Sequence, residues 1–199
     1  MTDSAAVDWL GVGPLSSGRI TLRPFTVDDV AALATVIDNP ERFRWTAGTP
    51  TDEASARAWI DAAQANSTRI AFAVVDNLEE RVVGSTSYYD VDPANLTVAI
   101  GYTFYGESAQ GTAINPTAKY LLMQHAFEDC GAVRIVWHTH ESNAQSRAAI
   151  AKLGATFEGL LRKHRRFGDG WRTTAQYAMT DEDWPAIKVQ LAERIAAFD

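Results

Sequence analysis

The stretch "LTVAIGYTFYGESAQGTAINPTAKYLLMQHAFEDCGAVRIVWHTH", residues 96–140, decides the fold. Its first ten residues are apolar and aromatic, the composition of a strand. A polar turn follows. Then "PTAKYLLMQHAFEDCG" reads as a helix, with Ala118, Leu121, Leu122, His125 and Ala126 on one stripe and Gly131 placed for a C-cap. "VRIVWHTH" (133–140) returns as a strand. Strand, helix and strand in that order make a β-α-β crossover, whose two strands run parallel.

Upstream, "RITLRPFT" (19–26) alternates Ile20, Leu22 and Pro24 against Thr21, Arg23 and Phe25, a strand ending at Thr26. Thr26 is expected to cap a helix that Asn39-Pro40 stops, and residues 51–65 form a second helix with acidic residues in its first turn. The runs 70–76, 81–91 and 96–105 are strand-like and joined by short turns, so they should pair antiparallel. Downstream come a helix over 143–154 ended by glycine, two strand-like runs joined by "GDG", and a last helix capped at Thr180 or Asp181. The order β-α-α-β-β-β-α-β-α-β-β-α predicts an α+β fold, a mixed and mostly antiparallel sheet flanked by helices. Residues 1–18 are small, polar and rich in Gly and Ser, and are expected to be a flexible N-terminal arm to a single domain over 19–199.

Composition narrows the function. With 199 residues, 46% hydrophobic and 22% charged, the chain can bury a real core. A net charge of -7 and a pI near 5.1 argue against a nucleic-acid partner. No apolar run approaches the roughly 20 residues that span a bilayer, so no membrane partner is expected. The start "MTDSAAVDWL" has no basic segment before an apolar core, and Cys130 is the one cysteine; together they predict the cytoplasm.

The loop "QGTAIN", Gln110 to Asn115, lies where the first crossover strand gives way to the helix. The first N–H groups of a helix lack intrahelical partners, and the helix dipole adds positive charge, so this is a generic place for a phosphate. Asn115 is a suitable N-cap and Pro116 is preset for the first helical position. Gly111, Thr112 and Ala113 are small enough for close approach of a ligand. The local chemistry equally allows a plain strand-to-helix turn. No phosphate loop of the G-x-x-x-x-G-K-[ST] type occurs in the chain.

The aromatic strand "AIGYTFY", the loop "QGTAIN", and the later "NAQSRAAIAKLGA" together resemble the GNAT acetyltransferase superfamily. More narrowly, the chain looks like the ribosomal-protein N-terminal acetyltransferase (RimJ/RimL-type) branch. "ITLRPFTVDDV", "VVGSTSYYDVD" and "GATFEGLLRKHRR" belong to the same resemblance, which runs from Gly18 to Asp183. It implies the GNAT fold, with a splayed β-bulge at the cofactor site, and acetyl-CoA as co-substrate. It also implies an N-acetyltransferase acting on a primary amine, for which a protein N-terminus is the leading acceptor. The family's pyrophosphate loop, Q/R-x-x-G-x-G/A, maps onto Gln110, Ala113 and Asn115; Gly111, Thr112 and Ile114 complete the segment. Ala113 stands where the family has glycine, which matters only if the loop needs a glycine conformation. The pantetheine arm is expected against the backbone of Gly101, Tyr102, Thr103 and Phe104, where an N–H would hold the developing oxyanion.

The resemblance assigns Asn143 to cap the next helix and reach the coenzyme, and Ser146 to face the sulfur as the candidate catalytic residue. The tyrosine that many relatives carry seven residues after that asparagine is Ile150 here, and a common glutamate is Ala99. Glu53, Asp90, Glu107 and Glu141 stay unranked as bases. His138 and His140 share a strand face and are candidates for substrate-side acid–base work; without a third ligand, no metal site is expected. Trp45 is a candidate for the acceptor pocket. "RKHRR" (162–166), with Arg172 across the hairpin, is a solvated hairpin, a dock for an acidic substrate segment, or a grip on the coenzyme 3′-phosphate. The same late hairpin offers a homodimer surface. Two competing functions remain: a catalytically weakened, coenzyme A-binding regulator, motivated by Ala113, Ala99 and Ile150, and an acetyltransferase for antibiotics or polyamines.

Overall fold

A computed structural model describes residues 5–11, 13–46 and 48–198. Eight strands make one sheet: β1 (Leu15–Ser16), β2 (Ile20–Pro24), β3 (Ile70–Asp76), β4 (Arg81–Asp92), β5 (Thr97–Tyr105), β6 (Arg134–His140), β7 (Thr156–Phe167) and β8 (Gly170–Thr180). They lie in the order β1-β2-β3-β4-β5-β6-β8-β7. All neighbours are antiparallel except β5 and β6, the pair that the crossover joins. The helices are α1 (Ala5–Leu10), α2 (Asp29–Val36), α3 (Glu53–Gln64), α4 (Ile114–Gln124), α5 (Ala144–Ala151) and α6 (Trp184–Ala196). This is the mixed, mostly antiparallel sheet that the element order predicts.

Strand periodicity splits the core in two. Along β3, Phe72 and Val74 join a large cluster with Leu122 and Met123 of α4, whereas Ala73 joins a smaller one with Leu33 of α2 and Ile60 of α3. The sheet therefore has α4 on one face and α2 with α3 on the other. Tyr88, which donates to the Leu122 carbonyl, points to the α4 face, so Tyr89 points to the other.

Several boundaries differ from the sequence reading. Within residues 1–18, the described part is not a loose arm. Leu10 is 1% exposed, the Trp9 indole donates to the Cys130 carbonyl at 2.9 Å, and β1 pairs with β2. The few apolar residues there outweigh the Gly and Ser content; residues 1–4 and 12 lie outside the described residues. Thr26 does not cap α2. Its N–H donates to the buried Asp29 carboxylate at 2.7 Å, which the Arg23 guanidinium grips with two bonds of 2.7 Å. Asp183, not Thr180 or Asp181, precedes α6, and its carboxylate accepts from Thr180. Strand β2 buries Phe25 beyond its end while Pro24 is exposed, because the chain turns there toward α2. Helix α4 continues as a π-helical turn, His125–Asp129, before Gly131 (φ +68°) ends it as expected.

Candidate active site

Strand β5 holds the site because it leaves its neighbour. Its pairing with β6 covers only Thr97 to Ala99, while β6 continues along β8 to His140. From Ile100 onward the outer edge of β5 therefore faces no strand, and a cavity of about 650 Å³ opens there. On its other edge β5 bulges: Ser87 pairs with Gly101 and Ser85 with Phe104, so Tyr102 and Thr103 oppose Thr86 alone. Tyr102 takes φ +49°, a left-handed conformation rare for such a side chain.

Two buried cations brace this bulge from opposite faces. On the α3 side, the Arg69 guanidinium lies 3.8 Å from the Tyr102 ring centroid and 4.4 Å from that of Trp59, and its Nε donates to Ser87. On the α4 side, Lys119 is 5% exposed and donates to Thr103 Oγ1 at 2.6 Å and to Thr86 Oγ1 at 2.7 Å. Burial pushes its pKa down to about 7. Neither cation has a carboxylate partner among the described residues. Gly101 lies against the Tyr89 ring, where a Cβ would come within 2.7 Å. Sequence reasoning missed Lys119. The signal was that it is the sole charged residue between Glu107 and Glu128, and sits in a helix that must pack on the sheet.

The loop at the mouth of α4 has the conformation a backbone anion site needs. Gly111 takes φ +74°, and Ala113 is helical at φ −64°, ψ −17°. The residue that replaces the expected glycine thus needs no glycine geometry. Asn115 is not the N-cap: Ala113 is, and the helix begins at Ile114, so Pro116 falls later in a first turn that asks no N–H of it. The N–H groups of Gly111, Thr112 and Ala113 have no acceptor among the described residues. Ile114 differs. Its side chain is 1% exposed and its N–H already donates to Thr112 Oγ1.

Gly101, Tyr102, Thr103, Phe104, Gln110, Gly111, Asn115, Asn143 and Ser146 all line the cavity; Thr112, Ala113 and Ile114 do not. Asn143 caps α5 by accepting the Ser146 N–H at 3.1 Å. Ile150 also lines the cavity, whereas Ala99 is buried on β5 and is not in the lining. Among the described residues no aspartate or glutamate is in the lining, so Glu53, Asp90, Glu107 and Glu141 stand outside it. Its charged residues are Lys119, Lys152, Arg165, Arg166, Arg172 and Arg194, all cationic in a chain of net charge -7.

Across the cleft from α4, Trp45 stacks near His140 (4.2 Å between centroids) and Phe167 (6.3 Å). His138 is engaged at both nitrogens, by Tyr89 Oη at 3.0 Å and Gln176 Oε1 at 2.9 Å. Gln176 Oε1 can only accept, so the His138 proton sits on Nε2 and its Nδ1 lone pair is taken by the Tyr89 hydroxyl. It has no lone pair left for a substrate proton. His140 Nδ1 accepts the Ser142 N–H, and burial lowers its pKa. Among the described residues no cluster of His, Cys, Asp and Glu could hold a metal, and no helix is long and apolar enough to cross a membrane.

Known proteins share the fold. The sequence profile of the acetyltransferase (GNAT) domain matches residues 19–156. The ribosomal-protein-serine acetyltransferase of Escherichia coli (strain K12) is 29% identical over 100 residues, 50% of this chain; the match spans only about 55% of that enzyme's length. A GCN5-related N-acetyltransferase from Brucella melitensis superposes with TM-score 0.86 at 29% identity, covering 92% of this chain and 85% of its own. RimJ of Mycobacterium smegmatis, in complex with CoA-disulfide, shares the fold with TM-score 0.75 at 24% identity, covering 92% and 94%.

Proposed function

The chain belongs to the GNAT family of acetyltransferases, and from that premise we propose that it moves an acetyl group from acetyl-CoA to a primary amine, the α-amine of a protein N-terminus. The observation that carries this reading is the unpaired edge of β5 beyond Ala99, set beside the free N–H groups of Gly111, Thr112 and Ala113. An extended amide-bearing arm can add to such an edge as a strand would, and a pyrophosphate suits the loop. Lys152 and Arg194, at the α5 and α6 side of the lining, suit further phosphate charge.

Within this reading the neutral amine nitrogen attacks the thioester carbon and the carbonyl oxygen gains negative charge. The carbonyl then re-forms as the C–S bond breaks, the nitrogen loses one proton and the sulfur takes one up, so the products are the amide and the free thiol. Backbone N–H groups of the Gly101–Phe104 bulge would hold the oxygen, with Arg69 adding positive potential from one face and Lys119, below its pKa of about 7, from the other. Ser146, on the lining, would donate a hydrogen bond to the departing sulfur. Among the described residues no carboxylate base stands in the cleft, which suits an acceptor that is partly neutral already. Protein α-amino groups, with pKa about 7.7–8.0, meet that condition far better than lysine side chains at about 10.4.

Isothermal titration with acetyl-CoA tests the coenzyme half; absence of binding at micromolar concentrations would end it. Coenzyme A release across N-terminal peptides, polyamines and aminoglycosides tests the acceptor half. A second reading, a coenzyme A-binding regulator, is favoured by Ile150 and Ala99 in place of polar residues. Binding without turnover on that panel would establish it.

A further inference from the structure

Of the two arginines at the acceptor end of the cleft, one is left without an acid among the described residues. Arg172 is half-buried there, donates its Nε–H to Thr174 Oγ1 at 3.1 Å, and has no carboxylate partner among the described residues. Arg165 stands opposite it across the β7–β8 hairpin and is held by Asp90 at 2.7 Å. Burial, and then repulsion from Arg165, hold the Arg172 pKa below its ordinary value. Burial lowers His164 as well, with His138 and both arginines adding to the effect. A guanidinium that has lost hydration regains hydrogen bonds best from a carboxylate or phosphate set against its fork.

Coenzyme phosphates are poor candidates for that partner. The loop that suits them opens α4, on the sheet face opposite the one Tyr89 and His138 share with these arginines. Arg166, in the lining, and Arg162 and Lys163, outside it, are exposed and continue the charge along β7. One carboxylate would satisfy Arg172; a strip of cations suits several in succession.

We propose that the acceptor is a peptide N-terminus followed within its first residues by aspartate or glutamate, whose carboxylates lie on Arg172 and along β7. The entry of the amine rests on the acetyl-transfer reading above; the grip on carboxylates does not require turnover.

The test uses two hexapeptides, one acidic at positions two to four and one with the corresponding amides, each labelled at its C-terminus. Binding is read by fluorescence anisotropy with and without coenzyme A, and coenzyme A release is followed in parallel. The acidic peptide should bind at least about tenfold tighter, the worth of one charge-assisted pair. Arg172→Gln should shrink that ratio below about threefold, and Arg172→Lys should restore part of it. Equal affinity of the wild-type protein for the two peptides overturns the proposal, and so decides the matter even if Arg172→Gln fails to fold. An unchanged ratio in folded Arg172→Gln overturns it as well. So does a loss of acetyl-CoA affinity in that variant that dephospho-coenzyme A escapes, since it would assign the arginine to the 3′-phosphate. Acidic-peptide preference without coenzyme A release sustains this inference while refuting acetyl transfer to peptides. Equal release from both peptides does the reverse.

Discussion

The two walls of the cleft are built in different ways. The α4 wall is a backbone construction: an unpaired strand edge, a glycine at φ +74°, and three free N–H groups, all within residues 99–113. The opposite wall is a side-chain construction. Trp45 follows α2, Tyr89 is on β4, His138 on β6, Arg165 on β7 and Arg172 on β8, so distant segments meet at one place. A site made of backbone needs a local conformation, which small residues and caps announce. A site made of side chains needs only that several elements converge, which no local pattern announces.

Gly101 belongs to both walls and is the sharpest place to break the comparison. Gly101→Val drives a side chain into the buried Tyr89 ring, with destabilisation of about 3 kcal/mol in urea unfolding. Coenzyme and acceptor affinity should fall together. If only one falls, the walls are more independent than the shared glycine suggests.

Lys119 comes next, through pH. Its pKa is about 7 in the folded chain against 10.5 ordinarily, so between those values the unfolded chain holds the extra proton and stability rises with pH. Two pH units inside that window correspond to at most about 2.7 kcal/mol. Lys119→Met should remove the rise between pH 7 and pH 9; an identical pH profile in wild type and variant refutes the assignment.

Trp45→Ala should separate the walls. The KM for the amine should rise about fivefold, from lost stacking contact worth roughly 1 kcal/mol, with acetyl-CoA affinity within about twofold by calorimetry. The loop gives the smallest effects. Gly111→Ala places a Cβ at positive φ in otherwise open space, costing up to about 1 kcal/mol and weakening coenzyme binding accordingly. Ala113→Gly should change coenzyme affinity by less than about twofold, because Ala113 is already helical. A large gain there would mean that the loop moves to a glycine conformation on binding.

Much of the α4 wall could be read from residues in order. "AIGYTFY" and "QGTAIN" mark a strand end and a helix start, and the parallel pairing of β5 with β6 followed from the crossover between them. The reading slipped at helix starts. Asn115 and Thr26 carry capping chemistry, but Ala113 and Asp28 take the capping positions, because packing of Ile114 and the Arg23–Asp29 pair outweighs a cap's contribution. Residues 5–18 were read by their Gly and Ser content, whereas Trp9, Leu10 and Leu15 decide their place by what they bury.

By itself, the sequence determined the order of the elements from β2 onward, the crossover, and the small-residue loop at the head of α4. Strand period, helix period and turn chemistry act between residues a few positions apart. Only the tertiary structure decided that Ala113 is helical, that Lys119 is buried beneath Thr103, and that Arg172 faces the cleft without an acid among the described residues. Burial and the absence of a partner are properties of everything packed around a side chain, and in this fold those neighbours come from elements scattered along the chain.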